Sequence, residues 1–598
     1  MNSHEHQNRT RAAAGYATVL AAAALAVAPQ VIWGNSCGHD FDFHLVSWFD
    51  ALNSWRDGIP YPHWTPSANF GAGEPRFVFY SPLTWMLGAA LATVLPWTLV
   101  PVVLTFILLA GTGLATRALA REALSEGTAA LAGCIAIFSG YPLFTAYERS
   151  AFAELAGGAW IPLVLLLGLR TYDAAAQQGS ARRFTQRGTI VALAIAVAGS
   201  WLSNPTVGVM ACYLLAAVAG ISAALQRAWW PALRAAAGAT LGMGLGAVYL
   251  LPAAWEQRWV DIKEVTKVTG QTLENNWLFA QHANPGLALH DQILRTVSTI
   301  AVAMVAVALG SLYACALRRR LPGPRSFWIP LAIIPFGVLL LQFSFTDRLW
   351  NLLPDLRFLQ FPWRWLLVLE APMAVLLASA LWPKKPAHRP RIAVFLTCTL
   401  AFSGLTAWAG KDLFQSLYPE DKVPSMLRVL QAGEGYFGTG EYEPIDSDIA
   451  KIPMNLPAAC LASDSQVAFG QPNDDGDMAW DVTQGTCRTN FARAADSGPE
   501  HLRIRGTSPH SGFLIVRHLT YPAWRVTLNG RPIVPHPLRA DGLMAMPIAQ
   551  GPFELAVDWT TTSDVILARW LSGISVLALA CLYLSDRRLM RPRLSLKE

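Results

Sequence analysis

Long apolar segments separated by short polar ones dominate the pattern of this chain. About twelve of them approach or exceed the ~20 apolar residues that an α-helix needs to cross a bilayer. They cover positions 12–33, 97–116, 128–144, 155–169, 189–202, 206–225, 235–255, 296–317, 327–343, 365–382, 392–408 and 565–584. This pattern predicts a polytopic α-helical membrane protein.

Basic residues give the predicted orientation of these spans. Arg9 and Arg11 precede the first apolar segment, and further lysine and arginine clusters lie in the short loops between later ones. Such clusters are typical of cytoplasmic loops. The apolar segment 82–95 is too short to cross comfortably, and treating it as a re-entrant or interfacial helix places every basic cluster inside. Both termini are then cytoplasmic, and the longer polar segments 34–81 and 411–563 lie outside.

The outer segment 411–563 has a different pattern. Its second half contains short alternating stretches, and Asn529-Gly530 between two of them is a strong type I′ hairpin signal. Short strands of this kind predict a small β-sandwich. Cys460 and Cys487 both fall in this segment, where an oxidising compartment permits a disulfide between them.

The predicted organisation therefore has three parts. A transmembrane domain covers 1–410, with a long first outer loop at 34–81 and the short helix at 82–95. A β-rich outer domain covers 411–563. The last span and a basic cytoplasmic tail cover 564–598.

Composition supports a membrane protein and excludes several functions. Of the 598 residues 53% are hydrophobic and only 14% are charged, whereas soluble domains carry about 25% charged residues. The net charge is +6, but the basic residues collect in short clusters between the apolar segments, which argues against nucleic-acid binding. The chain has no P-loop, HExxH or GxSxG motif, and no GxGxxG motif that follows a strand. The candidate catalytic and binding residues lie on the outer face. A sugar carried by a membrane-embedded polyprenyl phosphate fits there as an activated donor.

A cluster of titratable residues follows the first span. Asp40, Asp42 and His44 stand together there, and because a charge at mid-bilayer costs several kcal/mol, the cluster belongs at the water boundary. Carboxylates at this spacing can deprotonate a hydroxyl or hold a divalent cation such as Mg²⁺ or Mn²⁺. Capping of the helix that follows is the structural alternative for Asp40 or Asp42.

The residues after this cluster predict an amphipathic helix. Large apolar side chains recur at helical spacing, at Leu45, Trp48, Phe49, Leu52 and Trp55. An aromatic-rich face of this kind suits a helix that lies along the membrane interface. Farther on, His63 and Trp64 stand in an aromatic and glycine-rich stretch that is typical either of a sugar or headgroup site or of a simple turn.

A first basic candidate lies at the predicted outer end of the third and fourth spans. Arg149 stands there between Glu148 and Glu154. A guanidinium group beside an apolar surface can bind a phosphate through charge-assisted hydrogen bonds. An ion pair between Arg149 and either glutamate is the alternative.

Further candidates lie around the start of the span at 365–382. Arg357 and Arg364 are interleaved with aromatic residues there, and Arg364 either binds a phosphate or extends to lipid headgroups. Glu370 falls inside the span. An ionisable residue at such a depth is a functional candidate, and we predict Arg364 as its partner.

Several short motifs resemble the GT-C superfamily of membrane glycosyltransferases. More closely, they are similar to the YfhO-like bacterial membrane proteins and to a sister group called pyruvoyl-tetrahydropterin-synthase-related. The motifs are Gly38-His39-Asp40, Gly71 with Glu74-Pro75, Glu148-Arg149 with Glu154, Gln360-Phe361-Pro362-Trp363-Arg364, and Tyr521-Pro522-Ala523-Trp524. The resemblance implies a GT-C fold, a polyprenyl-phosphate-sugar donor and an early carboxylate, here Asp40, as catalytic base.

These observations lead to one expected function. We expect a glycosyltransferase of the bacterial inner membrane, working on the periplasmic face, with a glycan, lipid or protein as acceptor. Asp40 would be the base, Arg149, Arg357 and Arg364 would hold the donor phosphate, and Asp42 and His44 would form a second carboxylate or metal site. Supporting roles are expected for Glu148, Glu154, Glu370, His63 and Trp64. A lipid or glycan transporter or flippase, and a non-catalytic component of cell-envelope assembly, remain alternatives.

Overall fold

The computed structural model describes residues 3–172, 186–383, 388–415, 418–445, 447–452, 454, 456–462, 489–533, 539 and 541–590. Within them the chain is mostly helical. The helices are α1 (Ser3–Ala26), α2 (Ala28–Trp33), α3 (Phe41–Arg56), α4 (Arg76–Phe79), α5 (Pro82–Ala92), α6 (Val100–Ala120), α7 (Glu126–Ile137), α8 (Tyr141–Phe144), α9 (Phe152–Leu169), α10 (Gln186–Ser203), α11 (Pro205–Gln226), α12 (Trp230–Leu245), α13 (Ala247–Glu256), α14 (Ala288–Leu317), α15 (Arg325–Leu340), α16 (Asp347–Leu352), α17 (Leu366–Leu381), α18 (His388–Trp408), α19 (Val423–Gln431) and α20 (Ser563–Met590).

The helical pattern confirms the predicted membrane fold. Among the described residues, eight helical segments are long and apolar enough to cross a membrane, and two bent pairs, α12 with α13 and α15 with α16, raise the number to ten. The predicted spans at 12–33 and 189–202 are also helical, as α1 and α10, but do not belong to this set. Length and composition thus support eight to ten crossings rather than twelve. The segment predicted at 82–95 forms the short helix α5.

Helix α3 packs inside the protein, which differs from the predicted interfacial position. Leu45, Trp48 and Leu52 on its apolar face are buried. Trp48 lies against Gly88 of α5, where an added Cβ would come within 2.3 Å of the indole nitrogen. Because a glycine at this point permits the close approach, the aromatic face meets other helices and not the bilayer surface.

The carboxyl-terminal part contains the predicted β-sandwich. Its strands are β1 (Ala459–Ala462), β2 (Asn490–Phe491), β3 (His501–Ser508), β4 (Gly512–Leu519), β5 (Trp524–Leu528), β6 (Arg531–Pro532), β7 (Leu543–Ile548) and β8 (Gly551–Trp559). Two antiparallel sheets form, in the orders β2-β1-β4-β7 and β3-β8-β5-β6. Asn529 and Gly530 connect β5 to β6 with φ of 51° and 74°, as a type I′ turn requires.

The first outer loop is packed against this sandwich. Trp64 is fully buried among aromatic rings that include Trp524 and Trp559. The backbone nitrogen of His63 donates to Glu500 at 2.6 Å, and its ring stacks on Trp559. The structure therefore places His63 and Trp64 in contacts between the loop and the sandwich, not in an open sugar site.

Apolar packing also crosses the predicted domain boundary at 411. Leu413, Met426 and Leu430 belong to the same buried cluster as the helical bundle. The predicted boundary therefore falls within one apolar cluster. Cys460 on β1 is disulfide-bonded, while its predicted partner Cys487 lies outside the described residues.

Candidate active site at one end of the helical bundle

Backbone hydrogen bonds fix the first outer loop to the turn between α8 and α9. This turn is π-helical over Thr145–Arg149 and ends at Ser150, whose φ of 50° is left-handed. The amide of Asp40 donates to the carbonyl of Arg149 at 2.9 Å, and the amide of Gly38 donates to the Ser150 hydroxyl at 3.0 Å. π-Helical turns inside α-helices occur frequently at functional sites. Here the turn places Arg149 beside Asp40.

Gly38 permits this close approach of two backbones. A Cβ added there would lie 2.5 Å from both the carbonyl carbon of Arg149 and the carbonyl oxygen of Glu148. Backbone atoms cannot rotate away, so we expect Gly38→Ala to lower the free energy of unfolding by about 1–3 kcal/mol. Thermal unfolding in detergent measures the change. Gly337→Ala in α15 is the matched control because its Cβ would meet nothing within 4 Å, and an equal loss in both variants would contradict the prediction.

Asp40 stands at the amino-terminal end of α3, but its side chain makes no capping hydrogen bond. Instead Oδ1 lies 2.7 Å from Nδ1 of His39, and Oδ2 lies 3.6 Å from Nη2 of Arg149. Burial alone would raise the pKa of Asp40, but the hydrogen bond with His39 and the charge of Arg149 outweigh it and hold that pKa well below its usual range. The side chain is 28% exposed, so an ionised carboxylate is accessible.

Glu154 joins the basic residues of the cluster. This fully buried carboxylate accepts from Arg149 Nη1 at 2.5 Å and lies 3.3 Å from Arg364 Nε. The Tyr141 hydroxyl donates to its other oxygen. Of the two ion pairs predicted as alternatives for Arg149, the structure contains the one with Glu154. Asp40, Arg149, Glu154 and Arg364, here called the site quartet, thus form one chain of contacts.

Aromatic rings frame the two arginines of the site quartet. Arg149 lies over Trp363 at 5.1 Å and Arg364 over Phe361 at 4.6 Å. Their side chains are only 11% and 10% exposed. Guanidinium groups in such partly desolvated surroundings bind anionic oxygens more strongly than exposed ones do. The arrangement can therefore hold an anionic group beside an ionised carboxylate.

Three predicted residues lie outside the contacts of the site quartet. Arg357 pairs with Glu274 and donates to Asn351 at 2.5 Å, outside the site quartet. Glu148 accepts from Gln415 at 2.9 Å. Glu370 is buried in α17, and neither of its carboxylate oxygens has a hydrogen-bond partner among the described residues. The predicted pair of Glu370 with Arg364 is therefore wrong.

The residues predicted to hold a divalent cation do not converge. The His44 ring is fully buried between Phe43, Tyr80 and Phe152, and burial lowers its pKa to about 4. Asp42 accepts from the Phe43 amide at 2.7 Å. The described part of the chain contains no group of three histidine, cysteine, aspartate or glutamate side chains positioned to share a metal ion. His44 thus faces aromatic rings, and its role in a metal site with Asp42 stays a prediction.

Sequence reasoning missed three residues of this region. His39 bonds to Asp40, and Tyr141 bonds to Glu154. Glu441 comes from the segment before the sandwich. Burial, together with the negative charges of Glu74 and Asp40, raises its pKa to about 7. Of these three residues, only His39 could have been predicted from the sequence, because it adjoins Asp40.

Comparison with known proteins finds similar solved structures. No protein family and no curated protein matches the chain. Three solved structures of the archaeal oligosaccharyltransferase AglB from Archaeoglobus fulgidus do match, one in complex with an inhibitory peptide and a dolichol-phosphate, one in the apo form and one with Zn and sulfate. Their identities are 13%, 12% and 14%, and each has a TM-score of 0.38.

These matches cover 72% of this chain and 61%, 61% and 58% of the archaeal chains, so this chain spans about three-fifths of their length. No family model supports the more specific YfhO-like resemblance. Similarity of this degree does not by itself indicate a shared activity.

Proposed function

We propose that this protein is a membrane glycosyltransferase of the GT-C type, which transfers a sugar from a polyprenyl-phosphate donor to an acceptor hydroxyl on the periplasmic face. The observation that carries this proposal is the distance of 3.6 Å between Asp40 Oδ2 and Arg149 Nη2. One substrate complex can therefore contact a carboxylate and a phosphate-binding group together, as transfer of a glycosyl group from a phosphate requires.

The transfer itself is a single displacement at the anomeric carbon. Asp40 accepts the proton of the acceptor hydroxyl while the acceptor oxygen forms its bond to that carbon. The bond between the anomeric carbon and the donor phosphate oxygen breaks, and its electron pair leaves with the polyprenyl phosphate. Arg149 and Arg364 stabilise the negative charge that develops on this leaving group. Glu154 holds both guanidinium groups in place before the donor binds.

Donor binding would also change the basicity of Asp40. In the free protein, Arg149 helps to hold the pKa of Asp40 low, so this carboxylate is ionised but weakly basic. A donor phosphate that takes hydrogen bonds from Arg149 adds negative charge beside Asp40. Its pKa would then rise toward the range in which general bases are effective. The base would thus become stronger when the donor is present.

Reconstituted protein tests this proposal against the transporter alternative. Proteoliposomes containing the full chain, a labelled polyprenyl-phosphate sugar and membrane extract as acceptor source should release free polyprenyl phosphate and transfer the label to the acceptor. The same protein with Arg149→Ala is the matched control, and we expect it to lose release and transfer together. Movement of the intact labelled lipid across the bilayer without release would contradict a transferase and favour a flippase.

A further inference from the structure

A cavity of about 660 Å³ lies between α1, α7 and α18, away from the site quartet. The residues that α1 contributes to it are mostly small, namely Ala14, Gly15, Thr18, Ala21 and Ala22. These residues leave space that larger side chains would fill, while Phe395 and Phe402 of α18 form the opposite wall. The cavity is therefore an apolar groove along a helix that the sequence predicts to cross the membrane.

The length of the groove suits a lipid chain. Its lining extends along α1 from Arg11 to Leu25. At 1.5 Å per residue this distance is about 21 Å. One leaflet of the hydrocarbon core is about 15 Å thick, half of the ~30 Å total. An extended acyl chain therefore fits along the groove.

Two arginines give one end of the groove a positive charge. Arg11 and Arg391 both line it, and neither has an ion-pair partner among the residues that the structure describes. The Nε atom of Arg391 is buried without a hydrogen-bond partner, and its guanidinium lies 5.9 Å from the Trp382 ring centre. A buried donor without a partner costs free energy that an anionic oxygen would offset.

The carboxylate at this end does not neutralise these arginines. Glu126 lines the groove, but it accepts from Arg117 Nη2 at 2.5 Å and lies 3.2 Å from Arg121 Nε. Its charge is thus already balanced by two other guanidinium groups. The end of the groove retains a net positive charge, which complements an anionic headgroup.

We propose that this groove binds one phospholipid with a net negative charge, its phosphate between Arg11 and Arg391 and one acyl chain along α1. The carbonyl of Ala26, at the other end of α1, accepts from the hydroxyl of Tyr147 in the turn beside Asp40. Along α1, the headgroup end at Arg11 is therefore about 22 Å from this contact. This lipid site is independent of the proposed transfer reaction and lies at the end that the basic loops predict to be cytoplasmic.

Native mass spectrometry of the purified full-length protein tests this inference. The protein is partly delipidated and given an equimolar mixture of phosphatidylglycerol, phosphatidylcholine and polyprenyl phosphate. We expect phosphatidylglycerol to be retained preferentially. The double variant Arg11→Ala with Arg391→Ala should lower its retention roughly hundredfold, about tenfold for each charge-assisted contact.

Two further variants separate the site from general effects. Arg325→Ala removes an exposed arginine outside the groove and should retain phosphatidylglycerol as the wild type does. Ala21→Leu fills the groove without a change of charge and should also lower retention. Retention of phosphatidylcholine or polyprenyl phosphate at the same level or higher, or unchanged phosphatidylglycerol in both the double variant and Ala21→Leu, would overturn the proposal.

Discussion

Asp40→Asn is expected to lower the rate of sugar transfer by about 10²–10⁴-fold, the usual contribution of a general base. Asparagine preserves the size of the side chain but cannot accept the proton of the acceptor hydroxyl. The contact of Asp40 with Arg149 is partly exposed, so its loss should change the free energy of unfolding by no more than about 1 kcal/mol. Initial rates at saturating donor, together with thermal unfolding of the same preparation, measure both effects.

The matched control for this variant lies on the same helix. Asp57→Asn makes the same chemical change at the exposed carboxyl-terminal end of α3, and its transfer rate should equal that of the wild type. Full activity of Asp40→Asn would remove Asp40 from the reaction. A loss of activity shared by both variants would instead indicate a general effect on the helix.

Glu154→Ala is expected to have the largest effect on stability, about 3–5 kcal/mol, because removal of one partner from a buried ion pair leaves an uncompensated charge. Arg149 and Arg364 would both lose their shared carboxylate, and the Tyr141 hydroxyl would lose its acceptor. Two neighbouring guanidinium groups would then repel each other. Thermal unfolding in detergent should show a much lower midpoint than that of the wild type.

A second glutamate–arginine pair provides the comparison. Glu122 lies 2.5 Å from Arg170, and their side chains are 31% and 27% exposed. Because solvent screens such a pair, Glu122→Ala should cost only about 0–1 kcal/mol. Similar midpoints for the two alanine variants would show that burial of Glu154 does not matter, contrary to the prediction.

Elements whose structure depends on local pattern were predictable from the sequence. In β8, Phe553, Leu555 and Val557 are buried and alternate with more exposed residues, so the pattern alone indicates a half-buried strand. Asn529-Gly530 predicts the turn between β5 and β6 because both residues tolerate positive φ. Arg149 and Arg364 were found as candidates because charges beside apolar spans are costly and therefore conspicuous.

Features that depend on long-range packing were not predictable. Arg364 belongs to the 3-10 turn Pro362–Trp365 and not to α17, so helical spacing does not bring it to Glu370. Arg357 meets Glu274, which is 83 residues away in the sequence. The face of α3 has the same periodicity whether lipid or α5 covers it, and only the fold distinguishes these cases.

The hydrogen bond between the Asp40 amide and the Arg149 carbonyl has a consequence for how this protein can vary. This bond joins the backbone of the proposed base to the backbone of the proposed phosphate ligand. The hydrogen bond between the Gly38 amide and the Ser150 hydroxyl holds the same two segments together. Inserting or deleting a single residue on either side would displace both groups together. Tolerance to length changes should therefore be lowest at these two short segments, which a scan of single-residue insertions through the first outer loop and the turn between α8 and α9 would reveal.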